Sequence, residues 1–186
     1  MAQPPVADGC VAVEGDRILW VGPYSSAPEG RVEDLGDGVL LPGLVNAHTH
    51  LELSHLGHLR AVAEKGFLGW MEAVVSARGA PPAEVLARAG DAISGLVASG
   101  TAAVGDVSNT LVHLDLLENS GLDATVFFEL LGWDPARADA VLASADQRLA
   151  EVAGRKARVR LVAHAPHSVS RRLFEGLAMR GRPASV

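Results

Sequence analysis

The feature that most limits what this chain can become is a change of rhythm at Pro42-Gly43. Before it, short alternating runs cover Cys10 to Val13 and Arg17 to Val21, separated by Glu14-Gly15-Asp16, and a third run covers Gly38 to Leu41. A Gly-Asp step between β-rich runs is a hairpin signal. The third run ends where proline removes a ladder donor and glycine permits a sharp change of direction. Residues 1–42 therefore predict a small antiparallel β unit.

After Pro42 the pattern alternates strand with helix, the sequence sign of parallel βα units. Strands are predicted at Leu44 to His48, Thr101 to Val107, Ala124 to Leu131 and Val159 to Ala163. Helices are predicted at Phe67 to Ala77, Ala83 to Ala98, Leu111 to Asn119, Asp134 to Val152 and Ser170 to Met179. Asp134-Pro135 is a good helix start, and Ser170 is a good N-cap. A closed (β/α)8 barrel needs eight such strands and about 250 residues. The expected fold class is α/β: the N-terminal half of a (β/α)8 TIM barrel, about four βα units over residues 43–186, after the small antiparallel β unit.

Charge and composition narrow the partners. The net charge of -6 argues against nucleic acid, whose binding needs clustered Lys and Arg. The longest basic run (Arg155, Lys156, Arg158, Arg160) reads as a solvated helix end. A single cysteine, Cys10, excludes an internal disulfide framework and fits a reducing compartment. No basic n-region with an apolar h-region opens the chain, and no stretch of eighteen apolar residues occurs. A cytoplasmic protein without a membrane partner is expected.

The chemistry is concentrated at His48-Thr49-His50. On a strand the side-chain period is two, so His48 and His50 project to one face and can hold one ion between them. Both fall at the C-terminal end of the first barrel strand, where barrel enzymes place their chemistry.

Leu41-Pro42-Gly43-Leu44-Val45-Asn46-Ala47, closing on His48-Thr49-His50 after a small β unit, resembles the metal motif of the amidohydrolase superfamily. Phe67-Leu68-Gly69-Trp70 looks like the family's first loop helix, and Gly100 to Asp106 like its second strand. Val162-Ala163-His164-Ala165-Pro166-His167-Ser168-Val169-Ser170 resembles the fourth-strand block of the branch that deaminates purines, pterins and related heterocycles. Phe127-Phe128-Glu129 is similar to a run in aminodeoxyfutalosine and S-adenosylhomocysteine deaminases. Through this resemblance, residues 1–42 correspond to part of the family's composite β-sandwich.

The resemblance implies one divalent ion, zinc first and iron second, held by His48 and His50 together with later histidines and a last-strand Asp. It implies a hydrolytic deaminase that releases ammonia from an amino-heterocycle or nucleoside-like small molecule by metal-activated water. His164 matches a family position that contacts substrate. His167 stands where Tyr is commoner. Binuclear relatives add a carboxylated Lys at the fourth strand, and no Lys follows Lys156, so a mononuclear site is expected.

Two carboxylates join His164 as substrate-binding candidates. Glu52 keeps the parity of His48 and His50, and Glu129 lies in an apolar strand where a charge is costly unless paired. Asp106 is expected to fix loop backbone or a neighbouring histidine. His55, His58 and His113 receive no role, and His55 and His58 read as surface histidines.

No His-x-x-Glu occurs in the chain, and no Asp follows Asp146. No catalytic residue is therefore named. The expectation is a truncated amidohydrolase, inactive alone, with a complementing C-terminal half or a homo-oligomer as partner. The alternatives are another C-N hydrolase of the superfamily, chlorohydrolase-like or imidazolonepropionase-like, and a non-catalytic remnant or subunit.

Overall fold

The computed structural model describes residues 4–77 and 79–180, with residues 60–65 described by backbone only. The chain divides into two compact units, Met1–Leu41 and Pro42–Val186.

The first unit is built on one antiparallel hairpin, β1 (Gly9–Glu14) and β2 (Arg17–Pro23). Glu14 pairs with Arg17, which leaves Gly15-Asp16 as a two-residue turn, and Gly15 has a φ of 60°. Only glycine adopts that conformation without steric cost. The expected third run is a correction: Gly38 to Leu41 forms no strand. Val39 is 82% exposed, and none of Val39, Leu40 and Leu41 is covered by a neighbour. A β-prone run becomes a strand only where a partner edge is offered to its backbone.

The second unit carries a four-stranded parallel sheet of β3 (Leu44–Thr49), β4 (Thr101–Ser108), β5 (Asp123–Leu130) and β6 (Arg158–Ala163). Spatial order follows chain order, β3-β4-β5-β6, and every pair is parallel. Such monotonic order is that of an arc of a βα barrel, since doubly wound sheets reverse order at a switch point.

Helices α1 (Gly66–Ala77), α2 (Pro82–Ala98), α3 (Leu114–Glu118), α4 (Ala138–Glu151) and α5 (Arg171–Met179) complete the unit. Val85, Leu86, Ala89, Ile93 and Leu96 form the apolar stripe of α2, and Ala89 and Ile93 are buried. Gly100, at φ 80°, ends that helix and leads into β4. The Asp134 side chain accepts from the Ala136 N–H at 2.9 Å, and Ser170 caps α5 through the Leu173 N–H.

The core lies between the sheet and these helices. Val104, Ala124, Val126, Phe128 and Leu130 come from the strands, with Leu114 and Leu117 of α3, Leu142 and Ala145 of α4, and Leu173 and Leu177 of α5. The parallel register puts Val104 beside Ala124, Asp106 beside Val126, and Ser108 beside Phe128, so these residues share the helix-covered face. Gly105, Val107, Thr125, Phe127 and Glu129 face the other way. A Cβ on Gly105 would come 2.5 Å from the Ala47 carbonyl oxygen, so β3 and β4 can approach only because that position is glycine.

At the far end of the strands, Arg155 donates to both carboxylate oxygens of Glu118, at 3.2 and 2.8 Å, and also pairs with Asp115. The Arg155 hydrogen bonds, helped by the Ala157 N–H, hold the Glu118 carboxyl down at about 2. This corrects the solvated-run expectation for Arg155, which ties the strand start to α3.

Candidate functional site

The C-terminal ends of the strands gather His48, His50, Glu129 and His164 on one face, whereas Glu52, in the 3-10 segment Leu51–Lys65, loses the expected strand parity and turns to the 108–110 loop. Thr49 pairs with Asp106 on the helix-covered face, so His48 and His50 lie on the opposite face. Between Asn46 and Thr49 the register slips, three steps along β3 matching two along β4. Such a bulge is a usual means of re-aiming side chains beside functional sites. Glu129 belongs to the same face, opposite Val162. The His164 N–H donates to the Leu130 carbonyl at 3.1 Å and continues the ladder past β6, which gives His164 the parity of Val162.

His48 Nε2 and His50 Nε2 are 3.3 Å apart, with the rings edge to face at 66°. Two imidazole nitrogens about 2.0–2.1 Å from one tetrahedral zinc lie about 3.3–3.4 Å apart, so the pair fits two corners of such an ion. Burial, and secondarily the neighbouring His48, lowers the His50 pKa, while Glu129, Asp106 and Glu52 oppose the shift. The neutral ring this favours is the form that binds metal. Among the described residues, no group of three or more His, Cys, Asp or Glu side chains is arranged to hold an ion.

Behind the pair, two buried carboxylates fix the chain. Asp106, fully buried, accepts from the Leu51 N–H at 2.8 Å and from His113 Nε2 at 2.7 Å. It thus holds both the residue that follows His50 and a fully buried histidine, as expected of it. Among the described residues, His113 Nδ1 has no hydrogen-bond partner. Glu52 accepts from Ser108 Oγ (2.7 Å), Asn109 N (2.8 Å), Thr110 N (3.1 Å) and Thr110 Oγ1 (2.7 Å).

Burial alone would raise the Glu52 pKa, but these four bonds outweigh it and the net shift is downward from 4.5. A carboxyl depressed by folding contributes stability that is whole above 4.5 and is lost as pH falls through its folded value. Acid titration of unfolding should therefore show a loss below that pH which Glu52→Gln reduces. An unchanged acid slope in Glu52→Gln would refute the assignment.

Asn109 links this clamp to the next strand. Its Nδ2 donates to the Glu129 backbone carbonyl at 2.9 Å and to Glu129 Oε2 at 3.2 Å. Glu129 is buried at 8% exposure, yet its charge still reaches His50. His164 Nδ1 meets Ser168 Oγ, and the exposed His167 ring stands edge-on to it, centroids 6.0 Å apart.

His55 corrects the surface reading. It is buried, with Nδ1 3.0 Å from the Glu52 carbonyl and Nε2 3.4 Å from the Ala77 carbonyl. It braces the 3-10 segment Leu51–Lys65 against the end of α1. His58 is exposed as expected. Sequence reasoning also missed His113, Ser108, Asn109, Thr110 and Ser168. The only available signal was the crowding of polar residues in Ser108-Asn109-Thr110 directly after an apolar strand.

No protein-family model matches the chain. Over 162 residues it is 33% identical to adenosine deaminase from Helicobacter pylori, across 84% of this chain and 39% of that enzyme. The crystal structure of H. pylori aminofutalosine deaminase in complex with methylthio-coformycin superposes with a TM-score of 0.78 at 29% identity, covering 93% of this chain and 43% of that one. An adenosine deaminase from Xanthomonas campestris with bound zinc superposes with a TM-score of 0.70 at 25% identity, covering 93% and 42%. Shorter alignments reach imidazolonepropionases and 5-methylthioadenosine/S-adenosylhomocysteine deaminases.

The fold and the matched sequences define the class: the structural neighbours lie in the amidohydrolase superfamily, and the homologues are nucleoside deaminases and imidazolonepropionases. The chain is homologous to the N-terminal part of those enzymes, its four-stranded sheet matching the start of their TIM barrel. It spans about two-fifths of the length of the relatives it matches.

Proposed function

We propose that this chain is the N-terminal part of a metal-dependent hydrolytic deaminase that releases ammonia from an amino-heterocycle or nucleoside-like small molecule. The observation that carries the reading is the His48–His50 pair, 3.3 Å apart and on the face that also bears Glu129 and His164. His48 and His50 would hold one divalent ion, zinc before iron. Zinc accompanies a similar adenosine deaminase structure. The ion, when bound, supplies activation of water toward a carbon–nitrogen bond.

Glu129 and His164 are assigned to the substrate. Glu129 keeps carboxylate capacity beyond its single side-chain bond to Asn109 and can accept from ligand hydroxyl or amino groups. Glu52, first expected at the substrate, is assigned a supporting role, because both its oxygens are engaged by the 108–110 loop. Further ligands and the proton-transferring Glu would come from a segment outside these residues, in the same or a second polypeptide. No helix among the described residues is long and apolar enough to cross a membrane, and a cytoplasmic location belongs to the same proposal.

The alignment to imidazolonepropionase favours, as a second reading, hydrolysis of another carbon–nitrogen bond by the same site. Ammonia release separates the two. The purified 186-residue chain should release no ammonia from adenosine, 5-methylthioadenosine or S-adenosylhomocysteine, because it holds no His-x-x-Glu. Joined to a C-terminal segment that carries one, it should release ammonia from at least one of them. Turnover by the chain alone that His48→Ala abolishes would refute the account of what is missing. A joined protein that hydrolyses only imidazolone-type substrates would favour the second reading.

A further inference from the structure

We propose that Ser168 is a positioning residue that fixes the tautomer of His164, placing the proton on Nδ1 and leaving Nε2 as a bare acceptor. The argument is a count of protons. Ser168 Oγ lies 2.9 Å from the Ala165 carbonyl oxygen and also within hydrogen-bond distance of His164 Nδ1. Two oxygens at that separation repel unless a proton lies between them, and a carbonyl has none to give. The serine hydroxyl therefore donates to Ala165, and its single proton is used. The contact with His164 then needs its proton from the ring, so Nδ1–H donates to Oγ.

The backbone around the pair resists rearrangement. The Ser168 N–H donates to the Ala165 carbonyl at 2.9 Å, and the Ser168 carbonyl accepts from Gly132 N at 2.9 Å. The Ser170 N–H donates to the Gly132 carbonyl at 2.8 Å, and Gly132 bridges Val169 in parallel. His164 is itself tied to Leu130 through its N–H. Both members thus stand on segments anchored to the end of β5. A hydroxyl held this way selects one ring form instead of following the ring.

The chemical consequence rests on the substrate-facing reading of His164 proposed above; the tautomer does not. A bare Nε2 accepts from a ligand amino N–H or hydroxyl and repels an unprotonated aromatic ring nitrogen. The subsite would thereby select how a nucleoside-like ligand turns its base or its sugar toward β6.

The test is long-range ¹H–¹⁵N correlation spectroscopy of the ¹⁵N-histidine-labelled 186-residue chain, at a pH where its histidines are neutral. His164 peaks are assigned by their loss in His164→Gln. In the wild-type chain His164 should show a protonated Nδ1 and an unprotonated Nε2. Ser168→Ala should move the majority population to the Nε2–H form that free imidazole side chains prefer, and Ser168→Thr should restore the Nδ1–H form. A wild-type ring protonated at Nε2 overturns the proposal, and so does a folded Ser168→Ala chain that keeps the Nδ1–H form. If Ser168→Ala fails to fold, the wild-type and Ser168→Thr spectra decide. No activity is measured, so either result leaves the deaminase reading to its own test.

Discussion

Asp106→Ala is expected to cost about 2–5 kcal/mol of folding free energy, a large part of the total for a domain of this size. The carboxylate is fully buried and satisfies two buried donors, the Leu51 N–H and His113 Nε2. Its removal strands both. His113 would then be fully buried with neither ring nitrogen bonded by a described residue, since Nδ1 already lacks a partner among them. Asp106→Asn separates acceptor capacity from volume: the amide can accept from one donor but turns its NH2 toward the other, and about 1–3 kcal/mol should be lost. Urea unfolding followed by circular dichroism reads both variants. An Asn variant as stable as the wild type would show that the two bonds contribute nothing net.

Zinc titration of the chain should reveal one weak site that His48→Ala or His50→Ala weakens by at least about 10–100-fold. Changes to residues that merely support metal ligands already cost that much, so loss of one of two ligands must cost more. The wild-type affinity itself should be poor, because a zinc site ordinarily has three protein ligands and a water. Binding should weaken as pH falls, since protons compete for the two Nε2 atoms. The downward pull of burial on His50 extends its neutral range toward acid. Calorimetry with both variants decides the matter. Zinc retained at full affinity by either variant would place the ion elsewhere.

The barrel arc was legible because its signals are local. Alternation of apolar residues, a helical stripe such as Val85 to Leu96, and the glycines that end helices all act within one element. The shared face of His48 and His50 followed from strand parity alone, and the register slip between Asn46 and Thr49 left it intact. What the sequence hid depends on partners far along the chain. Glu52 reads as a pocket residue until the loop 56 to 58 positions later closes on it. The same clamp explains why α3 begins at Leu114 and not at Leu111: Ser108 and Glu52 bind the backbone N–H groups of residues 110 and 111, and Leu111 is held at φ 60°. A non-glycine residue at that angle cannot continue a right-handed helix. Likewise the burial of His113 and His55 is decided by what packs over them, which periodicity does not encode.

The strand that carries His48 and leads into His50 is also the least covered of the four, with no buried residue. Among the described residues β3 has a single strand neighbour, its pairing slips twice, and Leu44 and Val45 are exposed. Local opening takes the lowest free energy where burial is least, so amide protons of β3 should exchange with solvent before those of β4 and β5. The fidelity with which the two imidazoles are presented then depends on the anchors at Leu51 and Glu52, which tie the far end of β3 to the sheet. In kinetic terms, the lifetime of the paired arrangement is set by how often this strand opens and not by the two imidazoles themselves.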